Sequence, residues 1–275
     1  EAGAESVSME DSADTPLYEP ERGSTPLWDS TTVTGLFQGE ADLAEIQSHV
    51  AEAYHAATQT HVESMETELL EDREWERAWM DDFGPERFGN RLWICPSWQD
   101  PPEPEAVNIT LDPGLAFGSG THPTTRLCLE WLDANPVESL EVVDYGCGSG
   151  ILGLAALKLG ARHVVGTDND PQALEASRDN AQRNGIPDEA LDLYLPEDQP
   201  EGQCDLMLAN ILAQPLLSLA PTLASQVRPG GQIVLSGILS NQADAISDRY
   251  ARWFHMQSPS EQEGWICLTG TRHTD

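Results

Sequence analysis

The stretch that most constrains this chain is Val142-Val143-Asp144-Tyr145-Gly146-Cys147-Gly148-Ser149-Gly150. An apolar run ends at Asp144 and breaks into alternating glycines. A helical pattern then opens at Ile151, with Leu152, Leu154, Ala155 and Leu159, and stops at Gly160. Strand, glycine turn and helix in that order open a βαβ unit. Glycine lets the backbone turn tightly and lets a ligand come against it, while the N-terminus of the following helix favours an acceptor-rich ligand. A second apolar run, His163 to Thr167, ends at Asp168. A carboxylate about 20 residues past such a turn accepts the hydroxyls of a ribose.

Spacing within the turn separates two cofactor classes. The dinucleotide fingerprint is G-x-G-x-x-G. Here the third glycine, Gly150, comes one position early, and Ile151 stands where that pattern wants glycine. G-x-G-x-G after an acidic strand end resembles the first motif of S-adenosylmethionine-dependent methyltransferases. A purely structural glycine turn in some other α/β protein is the alternative that this stretch alone leaves open.

The rest of the chain supplies further βα alternation. Asp170-Pro171 starts a helix that runs to about Asn184 and closes at Gly185. Leu191 to Leu195 and Asp205 to Ala209 read as strands, Leu216 to Val227 as a helix, and Gln232 to Ser236 as a strand after the Pro229-Gly230-Gly231 turn. A helix near Gln242 to Tyr250 and strands near Phe254 and Trp265 to Leu268 follow. This order predicts an α/β fold with a doubly wound, Rossmann-like parallel sheet over residues 84–275. Leu92 to Cys95 and Val107 to Leu111 form strands around a Pro-rich loop before it. Residues 1–66 form a small first region: strands at Ser6 to Glu10, Thr31 to Phe37 and Thr60 to Met65, with a helix capped by Asp42. That is a ferredoxin-like α/β plait lacking its first strand and most of its first helix. Between the two regions, residues 67–83 read as a linker helix with Trp75, Trp79 and Phe83 on one face.

Composition narrows the setting. No apolar run approaches the length of a membrane span. The start, Glu1-Ala2-Gly3, has neither an initiator Met nor a basic segment, and reads as a chain entered part-way rather than a signal peptide. The 5 cysteines are scattered without C-x-x-C, and the 7 histidines show no metal-ligand spacing, so neither disulfides nor a metal site is expected and a reducing cytoplasm fits. Net charge is −33, and among 14 Lys and Arg residues the single lysine is Lys158. Either this acidity attracts a basic partner, or it is halophilic adaptation, with carboxylates keeping the protein solvated while salt screens their repulsion. In both cases it speaks against a nucleic-acid backbone as ligand.

Gly146, Asp168 and Asn210 all fall at predicted strand ends, so one cleft at the carboxyl edge of the sheet collects them. Asn210-Ile211-Leu212 is similar to the N-P-P-Y motif of methyltransferases acting on planar nitrogens, but has no aromatic at its fourth position to stack a base or amide. Aliphatic amines fit better. A helix-capping Asn is the alternative, and a capping or core role is expected for His122.

Taken together, the runs Leu111 to Thr125, Val143 to Gly150 and Asn210-Ile211-Leu212 resemble the ribosomal protein L11 methyltransferase family, PrmA, over essentially the whole chain. The resemblance implies S-adenosylmethionine as cofactor, contacted by Thr125, Gly146, Gly148, Asp168 and Asn210, with Phe117 as a wall. It implies Asn210 as the catalytic residue that aims the amine. The implied reaction methylates the α-amine and lysine ε-amines of ribosomal protein L11, gripped by the N-terminal region. A cytoplasmic monomer without direct contact to nucleic acid or membrane is expected. The rivals are a methyltransferase for another protein or a small amine, and a non-catalytic Rossmann-type binding module.

Overall fold

The computed structural model describes residues 3–13, 28, 30–62, 64–69, 83–112 and 120–274. The chain divides into two units, Glu1–Glu74 and Trp75–Asp275. The expected linker-helix positions Trp75 and Trp79, and Phe117, lie outside the described residues.

In the first unit, β1 (Ser6–Asp11) and β2 (Thr31–Leu36) pair antiparallel from Ser6↔Leu36 to Asp11↔Thr31. Helix α1 (Leu43–Thr58) begins where the Asp42 carboxylate accepts from the Ala44 and Glu45 amides, two donors that the helix itself leaves unpaired. The strand expected at Thr60 to Met65 does not form among the described residues. Thr60 is held against the end of α1 instead: its carbonyl pairs with His55 Nδ1 at 2.9 Å, and its amide donates to Thr58 Oγ1 at 3.2 Å. The His61 ring stacks on His55 with centroids 4.8 Å apart. Those local contacts fold the segment back and compete with extension.

The second unit opens with β3 (Glu86–Phe88), β4 (Leu92–Cys95) and β5 (Val107–Thr110), a small sheet with β3 antiparallel and β5 parallel to β4. Then come α2 (Pro123–Ala134), β6 (Glu141–Tyr145), α3 (Ile151–Lys158), β7 (His163–Thr167), α4 (Pro171–Arg183), β8 (Leu191–Tyr194) and β9 (Cys204–Asn210). The unit closes with α5 (Ala213–Gln226), β10 (Val227–Leu239), α6 (Ala243–Tyr250), β11 (Phe254–Met256), β12 (Ser260–Gln262) and β13 (Trp265–Arg272). The large sheet has the order β11-β13-β10-β9-β6-β7-β8, with β12 pairing β13. From β10 to β8 every pairing is parallel.

Alternation along the inner strands builds both faces of the core. Val142, Val164, Leu206, Leu208 and Val234 pack with Leu127, Leu132, Leu152 and Ala155 of α2 and α3. Their neighbours Val143, Met207, Ala209, Ile233 and Leu235 pack with Leu216, Leu223, Ile246 and Tyr250 of α5 and α6. Helices thus cover both faces, as expected.

One edge departs from the all-parallel expectation. Strand β13 runs antiparallel to β10, and β11 and β12 run antiparallel to β13. The cause is the tight turn Glu263-Gly264, whose φ angles are 52° and 78°. Two successive residues at positive φ make the hairpin turn that reverses a strand at once. Strand β10 is also longer than expected. The Pro229-Gly230-Gly231 turn is a break in its pairing with β9 between Val227 and Gln232.

The charge of −33 makes a direct prediction. If it is salt adaptation, the melting temperature rises as KCl goes from about 0.1 M to about 2 M, because like charges are screened over shorter distances. A flat or falling melting temperature would instead favour attraction of a basic partner.

Candidate active site

The glycine turn takes the form that its sequence predicts, and the structure shows why each glycine is needed. Gly146, Gly148 and Gly150 have φ of 76°, 55° and 80°, a region that residues with a Cβ rarely adopt. A Cβ on Gly150 would lie 2.9 Å from Ser177 Oγ, so the third glycine also lets α4 approach. From α4, Ser177 Oγ donates to the Gly148 carbonyl and Asn180 Nδ2 to the Ser149 carbonyl, each at 2.9 Å. One turn further on, Asn184 exchanges two 2.8 Å hydrogen bonds with the Thr110 backbone. Sequence reasoning missed these supports. The signal was present as Ser177, Asn180 and Asn184 at i, i+3 and i+7, all buried on one face of the helix.

Asp168 follows the last residue of β7. Its Oδ2 accepts from the Gly148 amide at 2.9 Å and its Oδ1 from the Asp170 amide at 3.0 Å. A carboxylate has about four acceptor positions, so each oxygen keeps capacity for a hydroxyl while the backbone fixes the group. Asn210 ends β9. Its Nδ2 donates to Thr125 Oγ1 of α2 at 3.2 Å, which leaves its carbonyl oxygen to accept from a ligand.

Thr125, Gly146, Gly148, Asp168 and Asn210 line one cavity of about 470 Å³. The buried Thr167 hydroxyl, also on that lining, has no hydrogen-bond partner among the described residues. A strand-end carboxylate, a turn stripped of side chains, an unused hydroxyl and the apolar Ile211 and Leu219 suit a ribose-bearing cofactor with a charged tail. His122 sits at the start of α2 as its N-cap, with Nδ1 accepting from the Thr124 amide at 3.3 Å. Its ring meets Trp265 edge-on with centroids 4.9 Å apart. Burial lowers its pKa, with Glu263 opposing, which matches the capping role expected of it.

Beneath the turn, Asp144 is buried and accepts from the Gly153 amide at 2.9 Å. Burial pushes its carboxyl up to about 7; the Gly153 hydrogen bond opposes this and the nearby Asp168 charge adds to it. The ordinary value is 3.8, so between about 4 and 7 the native state holds a proton that the unfolded chain has released. Stability from this group is therefore greatest below the lower value and falls as pH rises through the window. Asp144→Asn, which stays neutral, is expected to gain in melting temperature relative to the parent as pH rises from about 4 to about 8, the range across which the carboxyl ionises. A difference independent of pH would show that the buried carboxyl is already charged.

The sheet order, with its reversal between β6 and β9 and an antiparallel strand inserted beside β10, together with an acidic strand end over a glycine turn, defines an S-adenosylmethionine-dependent methyltransferase of the Rossmann-like class. Residues 1–273 match the family model Ribosomal protein L11 methyltransferase (PrmA). The chain belongs to that family. A ribosomal protein L11 methyltransferase from Marinobacter nauticus is 62% identical over 272 residues, covering 99% of this chain and 91% of that protein. One from Shewanella piezotolerans is 54% identical over 273 residues, covering 99% and 92%. A solved structure described as a ribosomal protein L11 methylase from Lactobacillus delbrueckii subsp. bulgaricus matches with a TM-score of 0.64 at 38% identity, covering 70% of this chain and 100% of that one.

Proposed function

We propose that this protein methylates amino groups of ribosomal protein L11, the α-amine and lysine ε-amines, with Asn210 aiming the acceptor. Bound S-adenosylmethionine supplies a sulfonium-activated methyl group. The observation that carries the reading is the convergence of Gly146, Asp168 and Asn210 from the ends of β6, β7 and β9 on one cavity, in a chain 62% identical to a ribosomal protein L11 methyltransferase. Asp168 would hold the ribose hydroxyls, and the glycine turn would admit the tail.

The chain must present a neutral amine in line at roughly 3–3.5 Å from the methyl carbon. Deprotonating a lysine at pH 7 costs about 4–5 kcal/mol, against about 1 for an α-amine. The apolar neighbours Ile211 and Leu212 favour the uncharged form by limiting its hydration. Asn210 Nδ2 donates to Thr125, which leaves the amide oxygen to receive the N–H of the incoming amine. Among the described cavity residues there is no histidine to serve as an imidazole base.

In this reading residues 1–66 recognise the substrate, 67–83 join the units and 84–275 carry the reaction, in a cytoplasmic monomer that contacts neither nucleic acid nor membrane. Methyl-labelled cofactor offered with ribosomal protein L11, other basic proteins and small amines tests it. Label is expected in ribosomal protein L11, at its first residue and at lysines after peptide mapping. Label only in another acceptor would reassign the substrate, and a bound nicotinamide cofactor with no transfer would indicate a binding module.

A further inference from the structure

We propose that Ile211 is a positioning residue, a wedge between the glycine turn and strand β10 that sets where Asn210 presents its amide. Asn210 is the last residue of β9 and pairs with Ser236 of β10. The next residue, Ile211, is gripped from both neighbouring strands. On the β6 side, a Cβ placed on Gly146 would lie 2.3 Å from Ile211 Cγ2, so the branch methyl fills the space above the first glycine of the turn. On the β10 side, a Cβ on Gly237 would lie 2.3 Å from the Ile211 carbonyl oxygen and 2.7 Å from its carbonyl carbon. Gly237 has a φ of 84° and sits where the pairing of β10 with β13 shifts between Leu235 and Ile238. The irregularity carries the β10 backbone onto the Ile211 peptide, an approach open only to glycine.

Thus Ile211 has its side chain seated on the cofactor turn and its backbone seated on Gly237. The Asn210 side chain is tied to Thr125 at 3.2 Å. Turn and acceptor-aiming amide therefore move together, and a misplacement of about 1 Å at such a site costs on the order of 100-fold in rate. The proposal rests on the reading of Asn210 as the aiming group.

The contact with Gly146 is made by Cγ2, which gives a test that separates a wedge from a plain apolar wall. Ile211→Val keeps Cγ2 and loses only the terminal methyl. Ile211→Leu keeps the carbon count and loses the branch. At saturating cofactor and ribosomal protein, Ile211→Leu is expected to lower kcat by about 10-fold or more with KM for the protein little changed, and to lose clearly more than Ile211→Val does. A wall would give the reverse order, since Val has lost more apolar surface; that order, or equal rates for both, overturns the proposal. The Asn210 side-chain amide signal in nitrogen-labelled enzyme saturated with S-adenosylhomocysteine gives a readout independent of the acceptor. It is expected to shift or broaden in Ile211→Leu and to stay in place in Ile211→Val. An unmoved signal in both rejects the wedge even if transfer by Ile211→Leu is slowed. Normal transfer by Asn210→Ala would reject the aiming role and leave the wedge to be judged by that signal.

Discussion

Asn210→Ala is expected to slow methyl transfer by at least about 100-fold at saturating cofactor, on the scale of a lost positioning contact. Asn210 ends β9, with its side-chain nitrogen donating to Thr125 and its oxygen left to accept. The loss should fall on turnover, because aiming an amine matters most in the transition state. Binding of ribosomal protein L11 should persist, since the proposed grip lies in residues 1–66. Some cofactor affinity should be lost too, because Asn210 lines the cavity. Single-turnover transfer, with protein binding measured separately, checks this. Near-normal transfer would reduce Asn210 to a structural residue at the head of α5.

The second large effect is expected at Asp168. Its two oxygens are held by the Gly148 and Asp170 amides, which fixes the carboxylate before any ligand arrives. Asp168→Ala removes a charge-assisted acceptor and should weaken S-adenosylmethionine by about 2–3 kcal/mol. That corresponds to roughly 30- to 150-fold in Kd. The Gly148 amide loses its partner in the same variant, so the melting temperature must be followed alongside. Calorimetry showing unchanged affinity in a folded variant would remove Asp168 from the site.

What the sequence shows of this site, it shows through residues whose chemistry is local. Gly146, Gly148 and Gly150 announce positive φ, Asp168 and Asn210 stand at the ends of apolar runs, and Asp170-Pro171 marks a helix start that the structure places at Pro171. What stays hidden depends on partners distant in the chain. Gly237 falls just past the strand read to Ser236, and its part is visible only once Ile211 is found against it. The Ser177 and Asn180 contacts need α4 to be packed over the turn. The Glu263-Gly264 hairpin is missed because glutamate seldom occupies positive φ. Thr60 to Met65 has strand-like composition, yet Thr60 and His61 are bound to the end of α1, so local hydrogen bonds override propensity there.

Methylation of ribosomal protein L11 is read from the intact mass of the purified substrate after incubation with this enzyme and S-adenosylmethionine. Mass increases in whole methyl increments are expected, dependent on the cofactor and greatly slowed with Asn210→Ala. An unchanged mass, with cofactor bound and the enzyme folded, would contradict that activity.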